Sequence, residues 1–116
     1  MTNDEQADDR GGSATATLDS TEHARAAASQ AYRTLVRHVA DLALVVLHPA
    51  EAELLRDAAD ACLFDDADAV ERVAGACELL ARLGEYGRLE PHTISRLCEE
   101  LVAVDCESRR LAAAAA

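Results

Sequence analysis

The stretch GRLEPHTISRLCEEL, Gly87 to Leu101, sets a glycine, a proline and a histidine ahead of an apolar run. Whether it is a binding loop or only a bend decides the fold, because the flanking sequence reads as helix on both sides. Gly87 can take the left-handed conformation that ends a helix. Pro91 suits the first position of the next one, where its missing N–H would be unpaired anyway. Leu89 and Ile94 then stand at the two positions of a hydrophobic staple, with Glu90 as a weak cap. Every residue has a local structural role, so the stretch predicts a helix-to-helix hairpin.

The earlier stretch LHPAEAELL repeats the pattern, with Leu47, Pro49 and Leu55 matching Leu89, Pro91 and Leu97. Shared helix-start physics accounts for the match better than duplication does. Pro49 opens a second helix with Glu51 at the capping position, and that helix runs to about Leu63 with Leu54, Leu55, Ala58, Ala59 and Cys62 on one face. Ahead of it, Ala24, Ala28, Ala31, Tyr32, Leu35, Val39, Leu42, Ala43 and Val46 fall on one side of a helical wheel. They predict a long first helix over Ser20–Leu47, started by Asp19 and Glu22. Phe64 and the pair Asp65–Asp66 break the second helix, and either Asp can cap a third whose expected core face is Val70, Val73, Cys77, Leu80 and Ala81, with ion pairs Asp68 to Arg72 and Glu78 to Arg82. The fourth helix buries Ile94, Leu97, Leu101 and Val104 and places Arg109 and Arg110 near its negative end.

The expected fold is therefore all-α: a four-helix, bundle-like domain over residues 19–110, with a long first helix. Residues 1–18 carry Asp4, Glu5, Asp8 and Asp9 and almost no large apolar side chain, which predicts a disordered acidic tail. Residues 111–116 form an alanine-rich end with nothing to pack, expected to fray.

Length bounds the chain to one domain, 116 residues with a single modest core. The longest apolar run, Leu42 to Leu47, is far short of the roughly 18 residues of a membrane span. No basic-then-apolar start marks a signal peptide, so the expected location is cytoplasmic. Acidic residues outnumber basic ones 22 to 11, for a formal charge of −11, which argues against direct nucleic-acid binding and for attraction to a basic partner.

The chemical motifs are weak. Cys62, Cys77, Cys98 and Cys106 show no Cys-x-x-Cys spacing and no two histidines stand at ligand spacing on one helix, so no metal site or cofactor is expected. Cys62 and Cys77 read as small core residues and Cys106 as a surface thiol. His38 and Asp41 share a helix side without a nucleophile or second carboxylate beside them, so no catalytic residue is assigned. Asp65, Asp66 and Asp68 lack the glycine of a calcium loop, and Val70 stands where an oxygen ligand belongs.

Two features point outward instead. Gly75, Leu79 and Tyr86, with Leu83 at their edge, are expected to line the side of the third helix away from the core. There a mid-helix glycine suggests close approach of another backbone. Leu44, Val45 and Leu47 make the end of the first helix apolar nearly all round. The small, alanine-rich core leaves burial to be found elsewhere. These residues therefore predict a non-catalytic interaction or regulatory module that forms a homodimer, with a basic protein as a possible further partner. The alternatives are an acidic decoy of a nucleic-acid-binding protein, or a thiol or metal sensor.

Overall fold

The computed structural model describes the backbone of residues 13–115 and the side chains of residues 20–115. Four helices make up this region: α1 (Ser13–Ala43), α2 (Pro49–Leu63), α3 (Ala69–Glu85) and α4 (Pro91–Ala115). Among the described residues there is no strand, and no helix is long and apolar enough to cross a membrane. The all-α expectation holds.

Boundaries differ in instructive ways. Residues 1–12 of the expected acidic tail lie outside the described residues, whereas 13–18 already belong to α1, so Asp19 is interior to that helix and not its cap. α1 ends at Ala43, earlier than expected, because the Leu42 carbonyl accepts the N–H groups of both Val46 and Leu47 and closes the helix into a turn. α4 continues through Leu111–Ala115. The two proline starts stand where the sequence puts them, and Glu51 accepts the backbone N–H of His48 at 2.9 Å, the capping role read from its position.

Two helices end alike. After α3 the N–H of Gly87 bonds to Gly84 O and that of Arg88 to Leu83 O, with Gly87 at φ +74°. This is the paired 5→2 and 6→1 closure that needs a left-handed residue. After α2 the same closure joins Asp65 to Cys62 O and Asp66 to Ala61 O, with Asp65 at φ +56°. Asp65 thus ends α2, as the sequence reading expects of the Asp65–Asp66 pair, but neither of the two is the cap of α3. The N-cap of α3 is Asp68, which makes no capping bond and pairs with Arg72 at 2.8 Å as expected.

Helix lengths dictate the shape. At 1.5 Å per residue, α1 is about 46 Å long and α4 about 37 Å, against about 22 Å for α2. Tyr32 on α1 donates its hydroxyl to Asp60 Oδ1 near the end of α2, and the buried Cys62 feels the charges of Asp105 and Arg109 on α4. The α2–α3 turn therefore lies part-way along the two long helices, whose remaining lengths run on together to a contact between Thr21 Oγ1 and Ala114 O. The overall extents, 61 × 33 × 19 Å, reflect this two-helix extension.

The core sits where all four helices overlap, around Leu35, Val39, Leu55, Leu80, Leu83, Leu97, Leu101 and Val104. α2 presents mostly alanines to it, Ala52, Ala58, Ala59 and Ala61, which lets its backbone lie close to its neighbours. The faces of α1, α2 and α4 agree with the wheel apart from Leu54, which is exposed. α3 is turned. Its buried residues are Ala76, Leu79, Leu80 and Leu83, while Val70 and Ala81 are exposed and Val73 and Cys77 half-buried. The Leu79–Leu83 stripe buries more apolar surface than the valine stripe, and Leu89 folds back over the same end, so the larger burial wins.

Asp65 and Gly87 hold equivalent left-handed positions. Asp65→Gly should raise stability by about 1 kcal/mol and Gly87→Ala should lower it by about 1 kcal/mol in urea unfolding; equal effects of one sign would contradict the shared geometry.

Candidate functional site

The end of the bundle that carries the α1–α2 and α3–α4 turns is built around one ion pair. Arg88, the residue after Gly87, donates both terminal nitrogens to Glu51, 2.7 Å to Oε2 and 2.8 Å to Oε1, and one of them also reaches Val46 O at 2.8 Å. The fork thus spans both turns and the first turn of α2. Arg88 holds the Glu51 carboxyl down to about 2; the His48 N–H and the nearby positive charges assist, and burial opposes them. Sequence reading assigned Glu51 its capping role and missed Arg88. The two lie far apart in the chain, and the only local signal is an arginine just past a helix-ending glycine.

This ion pair holds together the turns that display Leu44, Val45 and Tyr86, which are 83%, 78% and 70% exposed. Of the residues expected at an interface, these three face solvent. Leu47, Leu79 and Leu83 do not: all three are buried within the chain's own core, a correction that follows from the turn closing α1 and from the rotation of α3. Gly75 is half-buried and lines a shallow depression with Leu54, Asp57 and Arg72. A Cβ there would meet nothing, so close approach does not explain that glycine. The close approach on α3 is at Gly84, whose Cβ would stand 2.6 Å from Ile94 Cδ1.

The weaker motifs also find their places. His38 is paired across the helices, its Nδ1 2.9 Å from Glu100 Oε1 on α4. The carboxylate beside it thus comes from α4, which no helical wheel of α1 could reveal. Cys62 is buried and its thiol pushed up to about 11 by that burial; Cys98 is raised by burial and by the neighbouring Cys77 thiol. Both are held protonated and so are slow nucleophiles at neutral pH. Cys106 is exposed. No group of three or more His, Cys, Asp or Glu among the described residues could hold a metal ion.

Comparison with protein-family models, curated proteins and solved structures finds no match for the chain.

A carboxyl lowered by folding adds stability above its unfolded value, near 4.3, and loses it as pH falls toward the folded value of about 2. Glu51→Gln should therefore cost on the order of 2 kcal/mol at pH 7 and remove part of the acid dependence between about pH 4.5 and 2. Urea titrations at several pH values check this; parallel losses of wild type and variant across that window would deny the pair its role.

Proposed function

We propose that the chain is a non-catalytic protein–protein interaction module that pairs with a second copy of itself through its turn-bearing end. The carrying observation is the exposure of Leu44, Val45 and Tyr86 on two turns that Arg88 ties together. Apolar side chains on a pre-ordered surface lose little conformational entropy on docking, so their burial converts more fully into affinity. A patch that meets its own copy needs no other complementary surface, which twofold symmetry supplies.

The rim of this end favours a second reading. Asp41, Glu85 and Glu90 are exposed beside the apolar residues. An acidic rim repels another acidic copy and attracts a basic partner with an apolar centre, the arrangement an acidic decoy would also use. The two readings respond oppositely to salt. Self-association of like-charged copies strengthens as salt screens the repulsion, whereas a complex with a basic partner weakens.

Light scattering behind size exclusion, at micromolar protein and with thiols reduced, should give a dimer mass that salt stabilises. Leu44→Asp with Tyr86→Asp should return the monomer, and Gly75→Ala should leave the dimer intact. A wild-type monomer at every salt concentration would exclude self-association through this end.

A further inference from the structure

Between α1 and α4 lies a half-open groove of about 490 Å³. Its charge runs against the composition of the chain. Acids outnumber bases two to one overall, yet this groove gathers Arg33, Arg37 and Arg96 against only Asp41 and Glu100, with His38 and His92 on its walls. Glu100 is already engaged on both oxygens, by His38 Nδ1 at 2.9 Å and by Arg96 Nε at 3.6 Å. Glu100 thus serves His38 and Arg96 and pairs with neither Arg33 nor Arg37.

Arg33 and Arg37 are left with their charges open. Among the described residues Arg33 bonds only the neutral Gln30 side chain, at 3.2 Å, and Arg37 makes no ion pair although Asp41 follows it by one helical turn. Two like charges one turn apart repel each other along a helix, a repulsion that a bridging anion would relieve. Arg96 faces them from α4 with its terminal nitrogens outside the Glu100 contact. Guanidinium forks on two facing helices suit an oxyanion held from both sides. The hydroxyls of Thr34 and Thr93 line the same groove and can donate to such oxygens. At physiological salt the field of the acidic surface is screened beyond about 8 Å, so these local charges decide what enters.

We propose that this groove binds a small, multiply charged oxyanion of the class shared by phosphate esters and polycarboxylates, held by Arg33 and Arg37 on α1 and Arg96 on α4. The ligand spans the two longest helices, and binding therefore stiffens the pair that carries the bundle.

The test is a titration of the 15N-labelled full chain with inorganic pyrophosphate and, separately, with citrate, at ionic strength held constant by sodium chloride. Saturable shifts are expected at the arginine Nε–H groups of the groove and at the Thr93 amide. Arg33→Gln with Arg37→Gln should weaken binding by about tenfold or more while the helical circular dichroism stays unchanged. Arg72→Gln with Arg109→Gln, on other surfaces, should leave it unaltered. Saturation by pyrophosphate alone identifies a phosphate site, by citrate alone a carboxylate site, and by both the shared class. Shifts that never saturate, that match the sodium chloride control, or that the Arg72 and Arg109 control abolishes equally would overturn the proposal.

Discussion

The fork between Arg88 and Glu51 is the constraint on which the turn-bearing end depends. Two helical hairpins in sequence have no covalent reason to keep their turns side by side, and the alanine-rich faces between them supply modest burial per residue. The ion pair closes that gap. It links the turn after α3 to the first turn of α2 and to a carbonyl in the turn after α1, so three segments are positioned by one side chain. The same carboxylate caps α2, and its two roles reinforce each other because both stabilise the charged form.

Below that end, side-chain size sets the architecture. Leucines and valines fill the four-helix overlap, while Ala52, Ala58, Ala59, Ala61 and Ala76 let the helices lie close, as Gly84 does where Ile94 crosses it. Past the α2–α3 turn the two long helices run on together, and among the described residues Ala24, Ala28 and Ser108 are buried between them. Such a pair removes little apolar area from water, and the Ser108 hydroxyl within it has no hydrogen-bond partner among the described residues.

Charge is distributed as unevenly as packing. The acidic excess lies on the outer faces of the helices and around the turns, where solvent and salt moderate it. Three arginines, Arg33, Arg37 and Arg96, line the groove between α1 and α4, and Arg96 among them pairs with Glu100. One small fold thus carries exposed apolar residues at its turn-bearing end, exposed acids near them and an arginine-lined groove between α1 and α4.

Much of this was legible in the sequence. The prolines, Gly87 and the 3.6-residue pattern determined the helix count, the order and three of the four buried faces, because these are local consequences of backbone geometry and periodicity. The exposed Leu44, Val45 and Tyr86 were also marked, the first two because the end of the first helix is apolar nearly all round and Tyr86 because it falls off the expected core face of the third. What only the tertiary structure decided is whatever depends on which helix stands beside which. α3 carries two competing apolar stripes, and its neighbours chose the leucine one, taking Leu79 and Leu83 out of the expected surface. Glu51 meets Arg88, and His38 meets Glu100, across long sequence separations. No periodicity records such pairings, because they arise from the packing of whole helices and not from the spacing of residues along one.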